Sequence, residues 1–152
     1  MKASILLVIS IIALMLVSCD KFSNDRHVNL EFRTYDSFNI KNSDLTVSLY
    51  GYDIFVMEKP ATLIVQKKFS ASEIPFKVSM RVPGNAADLI KYIERKERAL
   101  YYIVVEWDSD GNGRIEKGDI SLDGSKSSLI MLKGDIRQTF FLKTIPDNAS
   151  IE

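Results

Sequence analysis

The stretch best equipped for chemistry is Asp108-Ser109-Asp110-Gly111-Asn112-Gly113-Arg114-Ile115-Glu116-Lys117-Gly118-Asp119. Its spacing matches an EF-hand loop, and coordination explains the spacing. Ca2+ takes about six to eight hard oxygens at roughly 2.3–2.6 Å. Asp108, Asp110 and Asn112 supply side-chain oxygens, Arg114 its backbone carbonyl, Glu116 a contact through water, and Asp119 the closing carboxylate. Gly113 takes the positive φ of the sharp turn without a Cβ penalty. Ile115 is expected to point into the core and pin the loop. Two features depart from the pattern. The last ligand is Asp rather than Glu, a shorter arm that hinders bidentate closure and lets Mg2+ compete. The loop also follows a strand-patterned segment, 100–107, rather than a helix. The expectation is a structural Ca2+ site between strands, with Mg2+ as competitor and affinity near 10−4–10−3 M, about that of extracellular modules. The opposing reading is an acidic turn that binds nothing.

Catalytic chemistry finds few candidates. There is one histidine, His27, and one cysteine, Cys19. A nucleophile needs a positioned base, and neither residue has an evident partner. Asp53, Glu58, Glu73 and Glu106 could form a carboxylate pair, but nothing in their spacing favours one. Gly111 and Gly113 belong to the acidic turn, so no phosphate-cradling loop is seen. Tyr50, Tyr52, Phe55, Tyr101, Tyr102 and Trp107 fall on strand patterns and suit core or interface packing. No catalytic or cofactor-binding residue is assigned, and a non-enzymatic protein is expected.

The elements that must position the loop begin after a leader. Met1-Lys2 is followed by an almost wholly apolar run, 5–17. That run is shorter than the about 20 residues a membrane-spanning helix needs, and fits a secretory signal. Leu16-Val17-Ser18-Cys19 resembles a lipobox. The resemblance implies cleavage before Cys19 and a lipid anchor on its thiol, holding the chain to the bacterial envelope on the periplasmic side. Asp20 resembles the enteric inner-membrane retention signal, which other lineages ignore, so inner and outer membrane both stay open. The organisation expected is signal peptide 1–18, lipidated cysteine and tether 19–27, folded domain 28–145 and flexible tail 146–152.

Period-two alternation dominates the domain. Val28, Leu30 and Phe32 share one face, as do Leu45, Val47 and Leu49, then Phe76, Val78, Met80 and Val82, then Tyr101, Ile103, Val105 and Trp107. Segments 61–65, 129–132 and 139–142 are further strand candidates. This pattern puts one face on a core and one in water. It predicts a mainly β fold: an antiparallel β-sandwich, Ig-like or a partly open barrel, of about seven strands. One short helix is expected over 86–97, with Asn85 as cap, Asp88 in the first turn, and Ala86, Leu89, Ile90 and Ile93 at helical spacing. Lys91, Arg95, Lys96 and Arg98, interleaved with Glu94 and Glu97, read as its solvated face. The 20 basic residues balance 20 acidic ones, which leaves no basic footprint for nucleic acid.

Several stretches carry a family resemblance: Leu45-Thr46-Val47-Ser48-Leu49; Asp53 with Lys59-Pro60-Ala61-Thr62-Leu63-Ile64; Pro75-Phe76-Lys77-Val78-Ser79-Met80 with Pro83; and Tyr101-Tyr102-Ile103-Val104-Val105. Together they resemble the YbaY-type lipoproteins, the group that includes type III secretion pilotins. The resemblance covers about 45–107. It implies a small β-sandwich lipoprotein, and for pilotins a chaperone that binds an outer-membrane secretin subunit. The function expected is a lipid-anchored protein that binds another envelope or secretion protein, through an exposed strand edge or an apolar cleft. The alternative is a lipid-anchored module for a small molecule or glycan, with calcium shaping its site.

Overall fold

The structure, a computed structural model, describes residues 24–56 and 58–146. The expected signal peptide, Cys19 and nearly all of the expected tail lie outside the described residues. Among the described residues no helix is long and apolar enough to cross a membrane.

The alternating segments become strands and pack as a sandwich. In chain order these are β1 (Arg26–Arg33), β2 (Asp44–Asp53), β3 (Thr62–Ser70), β4 (Phe76–Val82), β5 (Ala99–Glu106), β6 (Ile120–Leu122), β7 (Leu129–Ile130) and β8 (Ile136–Thr144). The first sheet has the order β4-β1-β8-β6 and the second β3-β2-β5-β7. The expected β-sandwich is correct, with one refinement: β1 and β8 run parallel, pairing Val28 with Ile136 and Arg33 with Phe141. The other pairings are antiparallel. β1 starts at Arg26, so the last two residues assigned to the tether are strand, paired with Val82 and Arg81. β6 gave no recognisable period because it is three residues long.

The core lies between the inner faces. Val28, Leu30 and Phe32 of β1 are buried, as are Val47 and Leu49 of β2 and Ile103 and Val105 of β5. An aromatic column fills one end. Phe32 stacks on Phe76 at 4.9 Å and on Phe140 at 5.9 Å. Phe76 also meets Phe69 at 5.6 Å and Trp107 edge-on at 5.9 Å. Edge strand β4 is covered where Lys67 Nζ of β3 donates to the Ser79 carbonyl at 2.8 Å, which blunts an open ladder.

The helix expected over 86–97 does not form. Two short 3-10 turns, Ala86–Leu89 and Lys96–Arg98, stand there instead, and Asn85 makes no side-chain cap. The backbone donors are used elsewhere. Lys91 N–H donates to Thr62 Oγ1 at 2.9 Å, and Glu94 N–H to Asp53 Oδ2 at 3.1 Å. A helix would need those donors for its own carbonyls. The charged residues are therefore loop residues, with ion pairs between Lys96 and Asp88 and between Arg98 and Glu94.

Trp107 sits at the end of β5 with no exposed surface, and its Nε1 donates to the Asn42 carbonyl at 2.8 Å. Trp107→Ala removes both the plug and the bond. It is expected to destabilise the fold by about 3–5 kcal/mol, read from the urea unfolding midpoint at unchanged m-value.

Candidate metal centre

The acidic loop joins β5 of the second sheet to β6 of the first, so its two ends are fixed by different layers. Trp107 plugs the incoming end. Lys41 and Asn42 N–H groups both donate to the Ser109 carbonyl, at 2.9 and 3.1 Å. Asn42 Nδ2 donates to the Asp108 carbonyl at 2.9 Å. At the outgoing end Ile145 N–H donates to the Asp119 carbonyl at 2.7 Å, extending the β6–β8 ladder.

One buried carboxylate clasps the ends together. Asp119 is 1% exposed. Its Oδ1 accepts from Ser109 N–H at 2.8 Å, Ser109 Oγ at 2.9 Å and Asp110 N–H at 3.3 Å. Its Oδ2 accepts from Glu116 N–H at 2.9 Å. Ser109 Oγ in turn accepts from Ile120 N–H at 3.1 Å. Burial pushes the Asp119 carboxyl pKa up. The N–H of Glu116, the Ser109 hydroxyl and the N–H groups of Asp110 and Ser109 outweigh it and hold the group below its ordinary 3.8.

Inside the clasp the chain winds round Asp108. Its Oδ1 accepts from Gly111 and Asn112 N–H, both at 3.0 Å, and its Oδ2 from Gly113 N–H at 2.8 Å. Asp110 Oδ1 accepts from Asn112 N–H at 3.0 Å, and Asn112 Oδ1 from Arg114 N–H at 2.9 Å. Gly113 has φ of 89° with no atom near its missing Cβ, so conformation rather than space requires glycine there.

The sequence-predicted ligands divide into two groups. One oxygen from each of Asp108, Asp110 and Asp119 lies within 4.8 Å of the others. Oxygens across a bound Ca2+ stand about 5 Å apart, so this convergence fits a divalent cation. Glu116 joins through Asn112, whose Nδ2 donates to Asp110 Oδ2 and Glu116 Oε1, both at 3.1 Å. Asn112 thus turns its nitrogen toward the acids, and an oxygen contact would require the amide reversed. Arg114 enters the network through its N–H. Ile115 corrects the expectation: it is 42% exposed rather than buried in the core. The loop is pinned by the Asp119 clasp, so the aliphatic position is left to solvent.

The other carboxylate candidates do not converge. Asp53 ends β2 at the opposite pole and is 2% exposed. Its Oδ1 accepts from Phe55 N–H at 3.0 Å and its Oδ2 from Glu94 N–H. The Phe55 bond is the largest influence and, despite some burial, its pKa is held below 3.8. Glu58 and Glu73 are exposed, and Glu106 lies at the far end of the same ladder from Asp53. Sequence reading missed Ser109 and Asn42, because the loop pattern assigns no role to position two or to a distant chain.

No family model matches the chain, and no curated protein matches it. Among solved structures it is similar to an alternative pilotin from the type II secretion system of Vibrio cholerae. The likeness has a TM-score of 0.50 at 12% identity and covers 78% of this chain and 96% of that one. At that identity it is a likeness of fold. The sandwich fold that the sequence resemblance implied is shared with this pilotin, which belongs to a type II and not a type III system, while the EF-hand likeness rests on the loop alone.

Two predictions follow from the clasp. Asp119→Ala strands three backbone N–H donors, those of Ser109, Asp110 and Glu116. It is expected to cost about 2–3 kcal/mol even in chelator, read by chemical denaturation. The pH dependence follows from the sign of the shift. A carboxyl held below 3.8 contributes stability above that pH, lost as pH falls through its lower folded value. Stability is therefore expected to fall below about pH 4, and Asp119→Asn to flatten that slope in unfolding measured across pH 2–5.

Proposed function

We propose that this chain is an exported, lipid-anchored envelope protein that holds a secretion-system component, without catalysis of its own, and that a divalent cation braces its 108–119 loop. The observation that carries the reading is the likeness of the whole sandwich to a secretion pilotin, across 96% of that chain. The Leu16-Val17-Ser18-Cys19 lipobox supports the anchor.

The outer face of the second sheet supports a protein-binding role. Tyr50 stacks on Tyr102 at 5.6 Å and Tyr52 meets Tyr102 edge-on at 5.8 Å. Leu63 and Leu129 are 45% and 44% exposed. Tyrosines give large, rigid contact area at low entropy cost and are enriched at interface hot spots. An apolar or amphipathic segment of the partner fits this face.

For the cation, Asp108, Asp110 and Asp119 would be the direct holders, with Asn112, Glu116 and the Arg114 carbonyl completing the shell. When bound, Ca2+ supplies a fixed positive charge that cancels repulsion among the carboxylates. Asp119 Oδ1 is already engaged by three donors, which favours contact through Oδ2 and weaker affinity than a bidentate Glu.

Calcium titration of the mature chain, by calorimetry and melting, tests the loop. At ten times Kd the wild type is expected to gain about 1.4 kcal/mol and Asp108→Ala nothing. No gain at millimolar calcium leaves an acidic turn. A photo-crosslinker at Tyr102 in the native host tests the partner. A secretion-system subunit in the crosslinked band is expected. Retention on a glycan column with no protein crosslink would favour the small-ligand alternative instead.

A further inference from the structure

The chain enters the fold at the pole opposite the acidic loop. Asn24 lies directly on Gly84, where any Cβ would collide with its backbone. Arg26 Nη1 donates to the Leu132 carbonyl. Between these contacts runs a groove lined by Leu100, Ile130 and Met131, with Arg26, Lys96 and Lys133 around it. Glu97 is the acidic residue among its lining side chains. Lys96 is paired with Asp88, while Lys133 makes no described ion pair. Met131 is 74% exposed, a long apolar side chain in water beside cations.

We infer that this groove lies against the anionic headgroup layer of the membrane, with Met131 entering the acyl boundary and Lys133, Lys96 and Arg26 facing lipid phosphates. The inference rests on the lipid-anchor reading and adds an orientation to it. Chain length argues for it. Residues 20–23 separate Cys19 from Asn24. Fully extended, that connection spans roughly 18 Å. A domain of this size has a radius of gyration near 14 Å, so it is about 35 Å across. The tether is shorter than the domain is wide, so the pole where it enters cannot turn away from the bilayer and stays within about 18 Å of it. Charge argues likewise. Arg26, Lys96 and Lys133 against Glu97 and the Asp88 paired with Lys96 leave one net positive charge round an apolar centre, the pattern of interfacial binding to anionic lipid. The acidic loop lies beyond the far end of the eight-residue β5, about 26 Å away, where anionic lipid cannot repel it.

The test uses the full chain, exported, processed and reconstituted in vesicles. Its intact mass first reads the diacylglycerol on Cys19, so failure of the anchor reading is seen by itself. Met131→Cys and, separately, Ile115→Cys carry an environment-sensitive fluorophore, and the vesicles carry headgroup-level nitroxide lipid with phosphatidylglycerol. Loss of fluorescence is expected at 131 and not at 115. Lys133→Glu in the Met131→Cys chain is expected to diminish that loss, as is replacing phosphatidylglycerol by phosphatidylcholine. Lys68→Glu, on the outer face of the second sheet, leaves it unchanged. Acylated protein quenched at neither position, or equally at both, overturns the inference. So does quenching indifferent to lipid charge. A concentration-dependent spectral shift at 131 in detergent alone would assign the groove to a second copy and overturn it too.

Discussion

The fold closes on a buried carboxylate. Asp119 ties the end of one sheet to the start of the other by accepting from Ser109, Asp110 and Glu116. A charge taken from water is costly unless its lone pairs are filled, and here each oxygen is filled by fixed backbone or hydroxyl donors. Trp107 buries its ring beside the clasp and spends its one donor on Asn42. The same Asn42 grips the Asp108 carbonyl. Loop, β1–β2 connection and aromatic column therefore meet at one place. Loss of any one of them exposes polar groups that the other two need paired.

The opposite pole repeats the device. Asp53 ends β2, is buried, and accepts from Phe55 and Glu94 N–H. It fastens the 83–98 connection as Asp119 fastens the 108–119 connection. Both connections cross between sheets, where no ladder satisfies the backbone. A short acidic side chain is the cheapest acceptor for several N–H groups at once. The parallel β1–β8 pair brings the starts of both strands to the pole where the chain enters, and leaves the acidic loop at the other. Chain entry and acidic loop are thereby held apart by the length of the sandwich.

Much of this was legible in the residues. The alternation at Val28–Leu30–Phe32 and Tyr101–Ile103–Val105 reports a face buried against one core, and those faces are buried. The glycine turn at Gly113 was legible because few residues tolerate a φ of 89°. The failures share a cause. Ala86, Leu89, Ile90 and Ile93 have helical spacing, but Ile90 packs over Gly51, where even a Cβ would stand 3.0 Å from it. Thr62 and Asp53 then take the donors a helix would need. Contacts that distant residues impose leave no local signature. Ile115 failed in the same way: the EF pattern assumes a hydrophobic pin, and this loop has a polar one.

Aspartate at the loop's last position looked, from spacing alone, like a weakened ligand. In the structure it has a second task that a longer side chain would perform badly. Its Oδ1 must sit against Ser109 N–H and Oγ, within 2.8–2.9 Å, while the backbone on either side belongs to the β6–β8 ladder. Glutamate would push its carboxylate past those donors. The residue therefore serves closure, whatever it contributes to the proposed cation site. Because protein donors already fix Asp119, the proposed cation beside Asp108 and Asp110 would have little to reorganise at that end. Under that proposal it would raise stability without changing shape, as a brace and not as a sensor, since a sensor needs a helix pair to open and the loop is held between two sheets.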